Sequence, residues 1–296
     1  MKKNTSIALI LLCAISTYAQ DKDWTPLLDK QLSKWDKYIG VPHTSVKGID
    51  WAPKGNGVEG TALGLNVDPL NVFSIKKENG EQVLYITGEI YGGLTSKEIY
   101  ENYHLKFDFK WGEKKWEPRL KDKRDNGVLY HCNGEHGAFW NVWMESQEFQ
   151  VQEGDMGDYF GLAGGVNTIK VSKNKDNFYE YDENGIEMRL GTVIKGKYKY
   201  RGVRNGNYEK PNGEWNTLEL ICFDGTSYHI VNGKIVNVLT NAERRTEVGY
   251  ERVTRGKIQI QSEAAEAYYR KIMIKELREL PSFLRIKHSS IKKKCV

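Results

Sequence analysis

The stretch SQEFQVQEGD, Ser146 to Asp155, sets carboxylates among carboxamides. Alternate side chains of an extended strand point to opposite faces. Phe149 and Val151 therefore share one face, and Glu148, Gln150 and Gln152 share the other. A lone carboxylate flanked by amides can take a proton while the amides hold the oxygens around it, and a positioned general base contributes roughly 10²–10⁴-fold. A retaining glycosidase instead needs two carboxylates about 5–5.5 Å apart. Glu148 and Glu153 sit at a suggestive spacing for that chemistry only if the strand is bulged; in a regular strand they point to opposite faces.

Two further segments carry groups of the same kind. In GKIQIQSE, Ile258 and Ile260 turn inward and Gln259 and Gln261 outward, with Glu263 just past the strand. In GVLYHC, Leu129 and His131 share one side, while Val128 and Tyr130 share the other. Trp140 and Trp143 lie nearby in sequence, either as rings that stack on a sugar or as buried core. HCNGEH offers His131, Glu135 and His136 to a divalent metal ion, the one candidate cofactor, but the spacing matches no zinc signature.

These groups must be positioned by strands. QVLYITGEI, YHLKFDFKW, WNTLELICF and AYYRKIMIKEL are alternating or β-branched runs, separated by Asn-Gly and Asp-Gly turns. YHIVNGKIVNV reads as a hairpin with Asn232-Gly233 at its tip. Leu27 to Trp35 has room for one or two helical turns, and no long stretch shows helical periodicity. Many short strands without intervening helices predict an all-β fold, an antiparallel β-sandwich or jelly roll. Two charged stretches, 111–125 and 195–214, read as long loops, which in a compact domain often form functional rims.

The ends are different in character. Residues 1–19 read as a signal peptide, with Lys2 and Lys3, an apolar run from Ile7 to Ile15, and Thr17-Tyr18-Ala19 before the cut. The expectation is an exported protein, periplasmic or extracellular at the cell surface, with one sandwich domain over 20–284 and a basic tail at 285–296. No later segment is apolar enough to span a bilayer, so no transmembrane segment is expected. The net charge of +5 comes from the two ends, Lys2, Lys3 and the cations of RIKHSSIKKKCV. The body between is slightly acidic, which argues against nucleic acid as a partner. Cys132 and Cys222 either pair, as export permits, or stay free and buried, the expectation for a chain that can bury its core without staples.

Several blocks, in order, resemble the 3-keto-disaccharide hydrolase family over roughly residues 24–281: PLLDKQLSKW (26–35), YGGLTSKEIYENYHLKFDFKW (91–111), DNGVLYH (125–131), QEFQV (147–151), GEWNTLELI (213–221), VNGK (231–234) and GKIQIQSEAAEAYYRKIMIKEL (256–277). His131 stands where the family pattern has arginine, and Asp29-Lys30 where it has Asn-Gly. The resemblance implies a sandwich of the concanavalin-A-like lectin and glucanase type. It also implies a carbohydrate substrate carrying a C3 ketone, which a separate sugar 3-oxidoreductase would supply. Such a ketone acidifies the C2 hydrogen and places the C1–O bond β to the carbonyl. Proton abstraction, elimination and hydration then give net hydrolysis. On this reading Glu148 is the base, Gln150, Gln152 and Gln261 line the substrate, and His131 or Glu263 protonates the leaving oxygen. The rival class is a non-catalytic, lectin-like glycan-binding module. A retaining β-glucanase fits less well, because Gln150 occupies the aspartate position of the glucanase Glu-x-Asp-x-x-Glu pattern.

Overall fold

The computed structural model describes residues 23–191, 193–194, 197–198 and 201–285. Residues 1–22, which include the expected signal peptide, and residues 286–296, with Cys295 and the expected basic tail, lie outside the described residues.

The fold grows from its central strand. In Tyr103–Lys115, Leu105, Phe107, Phe109 and Trp111 are buried while Lys106, Asp108 and Lys110 lie on the other face. That alternation fixes its register against Ala265–Glu276 on one side and Asn216–Phe223 on the other, because a slip of one residue would expose every apolar group. The sheet built around these strands contains twelve strands among the described residues.

A second sheet, of eight strands among the described residues, packs against it, in the order Tyr159–Leu162, Glu145–Gln150, Gly127–Asn133, Arg255–Ser262, Gly92–Ser96, Trp35–Ile39, Gly64–Leu65, with Tyr100–Glu101 beside Arg255–Ser262. All the ladders between named strands are antiparallel. Val128, Tyr130, Phe149, Val151, Ile258 and Ile260 enter the main core with Phe107, Phe109, Leu218, Leu220 and Tyr269 from the larger sheet. The only helix among the described residues is one turn at 282–285. The antiparallel all-β sandwich is thus the fold, as expected.

The Asn232-Gly233 hairpin forms as read, both residues having positive φ, 48° and 77°. The Leu27–Trp35 expectation fails. That segment is a pair of turns, because the Asp29 carboxylate accepts hydrogen bonds from the Gln31 and Ser33 amides and the Ser33 hydroxyl, the local bonding by which aspartate competes with helix. Cys132 and Cys222 are free and buried.

A second apolar cluster holds Leu129, Tyr91, Phe139, Val142, Trp143, Met144 and Leu162, with Trp116, Trp140 and Phe160 packed against it. Leu129 belongs to it while its neighbours Val128 and Tyr130 belong to the main core. The cluster therefore lies on the outer face of the smaller sheet.

Candidate active site

Glu148 points to that outer face. Its cross-strand partners are Leu129 on one side and Phe160 on the other, two apolar side chains that take the carboxyl out of water. Two pairs further along, on the same face, Gln150 faces Gly127. A Cβ on Gly127 would meet Glu148 Oε1 at 2.2 Å and Gln261 Oε1 at 2.6 Å. The missing side chain is what lets Glu148 and Gln261 lean together across the middle strand, where Gln261 hydrogen-bonds the carboxylate. Gln261 Oε1 is buried and has no partner of its own.

The other half of the site comes from the loop after the central strand. Trp116 ties that loop down through its amide to Ala264 O (2.9 Å) and its indole N–H to Thr87 O (2.8 Å). Arg119 then reaches inward, with Nη1 2.5 Å from Glu263 Oε1 and Nη2 2.7 Å from Asp125 Oδ2. Gln152 donates to the same Asp125 oxygen at 2.6 Å. Asp125 and Glu263 are themselves paired by a backbone bridge. Arg119 Nε is a buried donor without a partner.

Glu148, Asp125 and Glu263 are each at most 5% exposed, so three carboxyls share one guanidinium in a dry setting. Burial drives Glu148 well above the usual carboxylate range, the Asp125 and Glu263 charges push it further, and Arg119 and Gln261 only partly oppose this. Burial and the Asp125 charge also raise Glu263, against the pull of Arg119. Asp125 is raised by burial, with Arg119 and Gln152 opposing. Burial works against the Arg119 charge, but Glu263 and Asp125 outweigh it, so the guanidinium stays protonated. Burial and mutual repulsion thus favour the protonated forms of Glu148 and Glu263, since one fixed cation does not balance three carboxylates.

The structure brings together Glu148, Gln261, Glu263 and Gln152, with Gln150 beside them, although the Gln150 carbonyl accepts the amide of its own neighbour Val151 at 3.1 Å. It does not bring His131 there. A bulge at residues 130–132 breaks the alternation with the neighbouring strands. His131 has φ 52°, and Cys132 takes the place beside Leu129 in the outer cluster. The His131 ring is buried with neither nitrogen bonded, and burial alone lowers it to about 4. A proton-donor role for His131 loses its geometric basis. Trp143 is 1% exposed with its N–H on Gly92 O at 2.9 Å, so it offers no open face to a sugar. Trp140 is half-buried, stacked on Phe139 at 4.8 Å. His136 stacks on Tyr38, and among the described residues no three His, Cys, Asp or Glu side chains group to hold a metal. Glu153 bonds Arg124 and Asn212 at the rim, away from Glu148's partners.

Reading the sequence segment by segment passed over Arg119, Asp125 and Gly127. The available signals were the charged stretch at 111–125, which ends on Asp125 and, expected as a loop, is still strand as far as Lys115, and a glycine inside a strand, which marks a close approach.

A family model described as the 3-keto-alpha-glucoside-1,2-lyase-like domain matches residues 23–275. Among curated proteins none matches the sequence. Solved structures with a similar fold include a Parabacteroides distasonis ATCC 8503 protein described as "putative glycosyl hydrolase" (18% identity, covering 86% of this chain and 99% of that one, TM-score 0.44). A carbohydrate-binding module, CBM66 from Bacillus subtilis (8% identity, 69% and 92%, TM-score 0.38), and a Bacillus licheniformis β-glucanase (14%, 86% and 97%, TM-score 0.36) are others. At such identity the likeness carries nothing about substrate. With its match running from before the first strand into the last one, the chain belongs to the 3-keto-alpha-glucoside-1,2-lyase-like family.

Proposed function

We propose that the protein cleaves 3-keto-glycosides by elimination and hydration at the outer face of the smaller sheet. The observation that carries this reading is Glu148, a buried carboxyl of weakened acidity beside two unsatisfied groups, the Gln261 carbonyl and the Arg119 Nε–H. Buried polar atoms without partners cost about 1–3 kcal/mol each, so an incoming hydroxyl and an incoming oxygen acceptor would both be welcome there. Glu148 as carboxylate takes the C2 proton. The electron pair moves to the C3 oxygen, where Arg119 N–H stabilises the enolate; fixed donors of this kind contribute several kcal/mol. The enolate then expels the C1 oxygen, which collects the proton that Glu263 holds. Water adds across the new C1–C2 double bond, giving net hydrolysis. Gln152 fixes Asp125, and Asp125 fixes the guanidinium.

Export by the residue 1–19 leader to the periplasm or cell surface, and a partner oxidoreductase that makes the ketone, belong to the same proposal. The test is NMR in D₂O with a 3-keto-glucoside and its unoxidised parent. Deuterium at C2 or aglycone release from the ketone alone, lost in Glu148→Gln, supports elimination. Cleavage of the parent would sink it in favour of direct glycoside hydrolysis. Binding without turnover of either would leave a glycan-binding module.

A further inference from the structure

On the opposite side of the molecule, the outer face of the larger sheet carries a cavity of about 260 Å³. Its floor follows from strand register. Lys170 faces Glu187, Thr168 faces Thr240, and Tyr228 faces Val238 across adjacent ladders. One wall is the half-buried Tyr181 with Glu183 in the turn after it, and the other is Leu284 of the C-terminal turn. Leu284 is 1% exposed and packs with Tyr228, Ile230 and Leu277, so this wall is fixed.

We infer that this cavity is a second binding site, which takes one neutral pyranose ring of a glycan. The lining decides the class. Lys170, Glu183 and Glu187 stand exposed at the rim and present charges of both signs, while the half-buried Tyr181, Ile235 and Val238 present an apolar surface between them. A polyhydroxylated ring satisfies both signs with its hydroxyls and lays its C–H face on the half-buried Tyr181 and Val238. The volume lies below the roughly 300–1,000 Å³ of drug-sized pockets, which fits one ring rather than a chain. None of the lining residues belongs to the carboxylate site, and the inference does not rest on the reading of that site. Placed on the far face, the cavity would hold a separate glycan while the smaller sheet stays free.

The experiment is an NMR titration of the full chain with methyl α- and β-glucopyranoside and methyl galactopyranoside. The expected result is saturable, millimolar shifts of the Thr168, Lys170, Tyr181 and Thr240 amides. They persist in Glu148→Gln, which separates this site from the proposed catalytic one. Lys170→Ala and the exposed Glu187→Gln each weaken binding roughly fivefold, the loss of about one hydrogen bond. Absence of saturable shifts at these amides overturns the inference, as does binding indifferent to both substitutions. Binding that appears only when the chain is ended at Arg285 also overturns it, since the tail would then be the occupant.

Discussion

Asp125 and Glu263 grip opposite nitrogens of one guanidinium, 2.7 and 2.5 Å from Arg119, although they are far apart in sequence and joined only by a bridge at the sheet's end. The arginine is thus the counter-charge for two strands' worth of buried acid.

Arg119→Met therefore leaves carboxyls without compensation. Removing one partner of a buried pair costs about 3–5 kcal/mol, and thermal or urea unfolding at neutral pH should show a loss of that order. The deficit should shrink as pH falls below about 6, because protonated Asp125 no longer needs the cation. A deficit independent of pH would contradict the arrangement.

Glu148 gives a prediction of opposite sign. Its folded value lies above the unfolded one, about 4.3. The folded state therefore binds the extra proton, and stability declines as pH rises through and above that unfolded value. Glu148→Gln should be as stable as the parent near pH 4 and more stable at pH 8, by urea unfolding at both. For activity, kcat/KM of the parent should rise with pH as Glu148 ionises. The variant should lose about 10²–10⁴-fold. Parallel stability curves would show that the carboxyl is not strained by burial.

Gly127→Ala separates activity from folding. Its new Cβ strikes the ends of two side chains, Glu148 and Gln261, which can swing aside. Overpacking of this kind costs about 1–3 kcal/mol, yet it parts the base from its amide. The expected outcome is a folded protein by circular dichroism with activity near that of Glu148→Gln. Full activity would mean that the Glu148–Gln261 contact has no role in turnover.

His131 is buried neutral at about 4, below its ordinary 6.5. The unfolded chain takes up the proton first, so this residue contributes stability above pH 6.5 that is lost as pH falls towards 4. The full loss is about 3 kcal/mol at 1.36 kcal/mol per unit. His131→Asn tolerates the positive φ and should flatten that acid limb in a pH series of unfolding curves, with turnover of a 3-keto-glucoside retained. Loss of turnover in a folded variant would return His131 to the site.

Much of this was legible one segment at a time. The alternation in SQEFQVQ and GKIQIQS placed Phe149, Ile258 and Ile260 in the core and Glu148 and Gln261 on the other face, because a strand's period of two is a local property. The bulge at His131 was not legible, since it depends on how two neighbouring strands pair with residues 130–132. The Leu27–Trp35 turns were hidden for a related reason: one Asp29 carboxylate outbids a weak helical pattern.

The sequence by itself determined the strand alternation, the hairpin tips, the buried faces and hence the sandwich, all of which arise from residues within a few positions of one another. Only the tertiary structure decided that Arg119 from a loop, Asp125 from just before one strand and Glu263 from just past another meet around a single charge. It also decided that Glu148 sits between Leu129 and Phe160 rather than in water. Proton affinity is a sum over everything within several ångströms, whatever its place in the chain, so no local pattern could have supplied it.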